Sequence, residues 1–360
     1  MKVEDQREVL ETWYEAIRSQ DLDEANNWKK RFDARSGLFT EPAEKKFFEL
    51  LNLRYYLMRE DYNSADAVLA NLQPEEEKYN LLNYYYYFFK GIYHYDRQEY
   101  QKAIDHYAKA KLFTSDIKYE EAAEFYYKFA SAYQRNYEIT QSSKCAEKAL
   151  DIFRLKNNHK RIVACENLLG INNKDIGQFK EAELHYHNAL ISADKSRDRF
   201  LKLMTLHNYG VLASIQNDPE NALKLLTRAK KLIEPWENRF KVQNLYLIAK
   251  NYFKMDQFDL AIHKVKFALM VSEQSDFPDF YHHCKMLQAK YKDKDYFVEA
   301  YKKGIAFFYN HKRWDYVNEY GEELATYFRK KGFHEQCGEY YGLSSLARDK
   351  IKEERGLPHV

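Results

Sequence analysis

The chain has 360 residues, with 57 Lys plus Arg against 55 Asp plus Glu, a net charge of +2, and only 11 Gly and 6 Pro. So even a balance gives no electrostatic case for a nucleic-acid or membrane partner, and so few turn residues exclude an all-β fold in favour of helices. No run of about 18 apolar residues exists to span a bilayer.

The opening residues, Met1 to Asp5, turn acidic without an apolar stretch, so no secretion signal is expected. Residues 4–20 read as a helix, with Val9, Leu10, Trp13, Tyr14 and Ile17 on one stripe. A second helix over 21–32 turns Ala25, Trp28 and Phe32 inward, and Ser36-Gly37 breaks it. Thr40 or Glu41 can cap a third helix that opens on Pro42 and runs to about Arg59. Asp61 to Asn63 reads as a turn, and residues 64–72 as a short helix closed by Gln73-Pro74.

From about Tyr79 a register sets in. Copies start at 91, 130, 170, 210, 249, 287 and 325, a small residue at each but Leu287, and lie 39, 40, 40, 39, 38 and 38 residues apart. In the clearest copy Gly170 is followed by Phe179, Ala182 and Ala189, an aromatic at plus 9 and alanines at plus 12 and plus 19. Gly91 and Ala249 keep the same set, Gly210 has Pro219 in place of the aromatic, and the copies from Leu287 and Ala325 are weaker. Small residues let two antiparallel helices approach closely, and large rings fill the space beside them. Each pair then stacks on its neighbours to bury its apolar face, which is the tetratricopeptide-type pattern with a period of about 34. Turns are expected at 96–99, 157–158, 176–178, 217–219, 255–257 and 331–332. The fold class is all-α, an N-terminal three-helix bundle followed by a superhelical array of about seven such repeats. The expected division is 1–62 bundle, 63–78 connector, 79–348 repeats and 349–360 tail.

No conventional active site appears. HExxH, P-loop, GxSxG and Rossmann patterns are absent. His185 and His187 fall on different helix faces, and adjacent His282 and His283 serve a metal no better. No metal, cofactor or catalytic residue is assigned. Cys145, Cys165, Cys284 and Cys337 are widely separated without a CxxC and read as reduced thiols of a cytoplasmic protein. A helical array with a concave surface is built to hold a peptide or a protein.

Three stretches together resemble the Rap family of Bacillus-type bacteria. They are residues 9–17 with the Trp13-Tyr14 pair, residues 47–55 with the Phe47-Phe48 pair, and residues 123–130 continuing through 161–175. The resemblance covers the whole chain. It implies a peptide-controlled regulator of quorum sensing, sporulation or competence. Its N-terminal bundle binds a response regulator or that regulator's DNA-binding domain, and a short imported Phr-type signalling peptide binds inside the repeats and releases the target. By the resemblance, Asn208 is the backbone-clamping asparagine, Asn172 and Asp175 are polar positions of the preceding repeat, and Tyr246 lines the channel. Lys285 stands where an acidic partner for a peptide arginine is expected. Glu41, Glu44, Phe47 and Phe48 are placed at the target.

Some members of the family are response regulator aspartate phosphatases, which use a glutamine just ahead of the paired aromatics to orient a water. Residues 38–46 hold no Gln, and the position falls at Pro42. A carboxylate facing a phosphoryl group is repulsive, so the expected output shifts from catalysis to stoichiometric blocking. An active phosphatase is the alternative, and a repeat scaffold without peptide input is the alternative of another class.

Overall fold

The computed structural model describes residues 3–34, 38–74, 80–291 and 296–354. The expected break at Ser36-Gly37, the end of the 63–78 connector, Tyr79 and the last part of the tail lie outside them. The described residues form α-helices, one short 3-10 turn and no strands. By packing the chain divides into two units, Met1–Lys156 and Asn157–Val360.

The first unit holds α1 (Val3–Ser19), α2 (Leu22–Asp33), α3 (Pro42–Met58), α4 (Tyr62–Asn71), α5 (Asn80–Asp96), α6 (Tyr100–Lys111), α7 (Tyr119–Arg135) and α8 (Ile139–Leu155). Local chemistry sets several starts. Asp21 and Asp61 accept the backbone N–H groups of Glu24 and Ser64, the N-cap role expected of a short acidic side chain. Glu41 sits at the N-cap of α3, with Pro42 in its first turn. Trp13 centres the packing of α1, α2 and α3. Its indole N–H donates to the Ala25 carbonyl at 3.1 Å, and its ring meets Phe32, Phe48 and Tyr55 at 5.1, 5.7 and 5.8 Å.

The boundaries read at 62 and 78 do not divide this core. One apolar cluster runs from Leu10 to Ala132, because α3 packs on both α1 and α5. The joint is aromatic: Phe47 of α3 lies 5.0 Å from Tyr85 of α5, and Tyr14 of α1 lies 5.4 Å from the same ring.

The second unit holds α9 (His159–Asp175), α10 (Phe179–Ser196), α11 (Arg199–Ile215), α12 (Pro219–Lys230), α13 (Asn238–Lys254), α14 (Phe258–Gln274), α15 (Pro278–Tyr291), α16 (Phe297–Asn310), α17 (Trp314–Lys331) and α18 (His334–Glu354). With α5/α6 and α7/α8, its pairs account for all seven registers, the two weak ones included.

The register has a sharper cause than its sequence suggests. The ninth position after the small residue is the first residue of the second helix, as at Tyr100, Phe179, Pro219 and Phe258. Pro219 therefore breaks nothing, since the first helical N–H has no partner to lose. The gap beside the small residue is filled instead from position plus 16. A Cβ on Gly91 would stand 2.4 Å from the Tyr107 ring, one on Gly170 2.6 Å from Tyr186, and one on Gly210 2.8 Å from Leu226. At plus 7 the chain takes the left-handed region: Gln98, Tyr137, Gly177, Asn217, Asp256 and Gly332 all have positive φ.

Gly170→Ala tests this packing. Alanine gains about 1 kcal/mol of helix propensity over glycine, but overpacking a closed core costs about 1–3 kcal/mol. The Tyr186 ring is fully buried and cannot swing aside. The expected result is a lower urea midpoint, a net loss of up to roughly 2 kcal/mol. An unchanged or raised midpoint would show that Tyr186 repacks freely.

Candidate functional site

In the second unit the first helices of successive pairs lie side by side, α9 on α11, α11 on α13 and α13 on α15. The face they share carries a cavity of about 280 Å³. Its walls come from first helices alone: His207 of α11, Tyr246 and Lys250 of α13, Phe280 and His283 of α15, and Tyr316 and Tyr320 of α17. A smaller recess beside it shares Tyr246, Lys250, His283 and Tyr320.

The cavity is built around His283. Its ring lies 4.5 Å from Tyr316, 5.6 Å from Phe280 and 5.7 Å from each of Tyr246 and Tyr320. Its Nδ1 is 2.6 Å from the Tyr320 hydroxyl. Burial pushes this imidazole down to about 3 and His207 down to about 4, because the charged form loses its hydration. Both are neutral at physiological pH. The lining thus offers rings and neutral hydrogen-bonding groups, with Lys250 and Glu319 as its charges. That chemistry suits apolar side chains and the amides of an extended guest better than a polyanion.

The residues expected to bind peptide are placed differently from one another. Tyr246 is half-buried and forms part of the cavity wall. Asn208 follows His207 on α11 and is also half-buried. Its amide donates to Asn167 Oδ1 across a long 3.5 Å, while Asn167 makes a firmer 2.7 Å bond to Thr205. Asp175 ends α9, paired with the adjacent Lys174. It lines neither cavity, and its charge acts with burial to raise the Tyr186 phenol.

Asn172 needs a correction. It is 0% exposed and shares a stripe at helical spacing with the buried Cys165 and Leu169, so its side chain faces the interior. A peptide on the shared face cannot touch it in this arrangement.

At the N-terminal unit, Phe47 is also 0% exposed, and Phe48 is half-buried against Trp13, Phe32 and Phe39. Both pack the core. Phe47 presents no surface to a partner, which corrects its placement at a target. Glu41 is exposed and Glu44 half-exposed on the first turn of α3, the surface-facing members of the set.

Sequence reading missed His207, His283 and Tyr320. The signal was present: Tyr246, His283 and Tyr320 stand 37 residues apart in turn, close to one repeat, so they fall on equivalent faces of successive helices. The four cysteines are free thiols. Among the described residues no three His, Cys, Asp or Glu side chains gather to hold a metal ion, and no helix is long and apolar enough to cross a membrane.

No family model matches the chain. Among curated proteins it is 24% identical over 355 residues to response regulator aspartate phosphatase I of Bacillus subtilis strain 168, covering 96% of this chain and 90% of that one. It is 26% identical over 353 residues to the transcriptional activator NprA of Geobacillus stearothermophilus, covering 92% and 85%. A solved Rap protein complexed with competence and sporulation factor superposes with a TM-score of 0.76 at 20% identity, over 98% of this chain and 99% of that one.

Proposed function

We propose, for a chain that belongs to the Rap family of tetratricopeptide-repeat regulators, that it binds a response regulator or transcriptional regulator and inhibits its output under the control of a short imported peptide. The observation that carries this reading is the ring-lined cavity on the first-helix face; Asn208 follows its wall residue His207 on α11 and turns toward Asn167 of α9. An extended peptide has no internal pairing, so it needs amide partners along its backbone and pockets for alternate side chains. Asn208 supplies the first and the wall of Tyr246, His283 and Tyr320 the second. Asp175 stands further along the same helix layer. The match to a Rap protein solved with competence and sporulation factor supports a Phr-type peptide as the guest.

The target meets the first unit, with Glu41 and Glu44 at the contact. Without a glutamine ahead of Phe47-Phe48 the output is holding rather than hydrolysis. The 24% identical relative is a response regulator aspartate phosphatase, which favours phosphatase activity as the second reading. In either case the peptide acts by population shift, binding one placement of the N-terminal helices better than another.

Phosphorylated response regulators mixed with the purified chain separate the readings when phosphate loss and complex formation are followed in parallel. The expected result is a stoichiometric complex with phosphate retained. Phosphate loss at sub-stoichiometric chain would overturn blocking and establish the phosphatase.

A further inference from the structure

Glu121 sits in the first turn of α7 with only 3% of its surface exposed. Tyr14 of α1 donates to one of its oxygens at 2.8 Å, and Tyr85 of α5 donates to the other at 3.2 Å. One carboxyl therefore joins three helices. Among the described residues no cation pairs with it directly. Arg18 of α1 is 2.7 Å from Glu15, and Lys118, just ahead of α7, is 3.1 Å from Glu11 of α1. The other titratable groups around the joint are Arg7 on α1, Tyr84 on α5 and Glu124 on α7. The element α3 contributes the apolar Phe47.

We propose that the Tyr14–Glu121–Tyr85 bridge is a proton-operated latch, which seats α1 on α5 and α7 and loosens when the carboxyl gives up its proton. The proposal concerns the joint itself and does not rest on the peptide reading. The ionised form would be an anion held by two neutral hydroxyls, with no countercharge at contact distance. The protonated form leaves no buried charge.

Burial accordingly raises the Glu121 carboxyl to about 7 from an ordinary 4.5, against the lowering from its hydroxyl partners and from Arg18 and Lys118. A carboxyl raised on seating stabilises the seat fully below the ordinary value and loses that stabilisation as pH climbs through about 7. Between pH 6 and pH 8 the seated-to-unseated ratio of α1 should fall about tenfold.

The test compares amide-exchange protection of α1 with that of α17 in the same sample, so that the pH dependence of exchange chemistry cancels. In the wild-type chain the ratio should fall about tenfold from pH 6 to pH 8. In Glu121→Gln it should hold constant and exceed the wild-type ratio at pH 8, because a neutral amide of the same shape replaces the carboxyl. Tyr14→Phe removes only the tie from α1 and should lower α1 protection at both pH values. A wild-type ratio that changes less than twofold, a Glu121→Gln ratio that falls in parallel with wild type, or unaltered α1 protection in Tyr14→Phe would each overturn the latch.

Discussion

Phe47→Ala destabilises the first unit by about 3–5 kcal/mol and abolishes target binding as a consequence. The ring has no exposed surface. It lies between Tyr14 and Tyr85, 6.4 and 5.0 Å away, with the Arg7 guanidinium over its face at 4.2 Å. Truncation removes the transfer free energy of a buried aromatic and leaves a cavity walled by three helices that cannot all close in. The loss is a large part of the 5–15 kcal/mol that holds an ordinary domain. Glu44→Lys is the contrast. Among the described residues this half-exposed carboxylate has no hydrogen bond or ion pair, so the change alters stability by no more than about 0.5 kcal/mol, yet it reverses a charge on the surface proposed to face the regulator. Urea midpoints and complex formation, measured on both variants, separate the two. If Phe47→Ala unfolds at the wild-type midpoint, the ring does not hold α1, α3 and α5 together. If Glu44→Lys binds targets undiminished, the first turn of α3 is not the contact.

That contrast marks what was legible in the sequence. Pairs, turns and their order follow from a register of small residues, and the weak copies at 287 and 325 still form α15/α16 and α17/α18. Local chemistry sufficed because each pair closes over about forty residues. The direction of a side chain was harder. Asn172 and Asp175 are three positions apart on α9, yet one is wholly buried and the other ends the helix beside Lys174. Polarity alone cannot tell which face of a stacked helix looks inward when neighbours cover two sides. The continuity of the core past residue 62 was invisible for a similar reason. It depends on Phe47 and Tyr14 both meeting Tyr85, contacts that no change in composition announces. The cavity was partly legible, through the even spacing of Tyr246, His283 and Tyr320. What spacing could not supply was their state: His283 and His207 are neutral because they are buried.

Asn208→Ala abolishes the peptide response and leaves the fold and target binding in place. The amide is half-buried, and its 3.5 Å bond to Asn167 is too long to contribute much stability. Asn167 keeps Thr205 at 2.7 Å and the Val163 carbonyl at 3.0 Å without it, so the urea midpoint should move by no more than about 0.5 kcal/mol. A peptide loses far more. A carboxamide donates and accepts at once, which lets it satisfy an N–H and a C=O of one guest residue. Truncation strands both backbone groups of the guest. Each unsatisfied group costs about 1–3 kcal/mol, so with two stranded the affinity for a peptide that the wild-type chain binds should fall by at least roughly 30-fold. Isothermal titration of both chains with that peptide reads the loss directly, and complex formation with the regulator at saturating peptide reads the response. An Asn208→Ala chain that binds within threefold of wild type would remove the clamp from α11. The guest would then be held by the wall of rings around His283, and Tyr246→Ala would become the deciding variant.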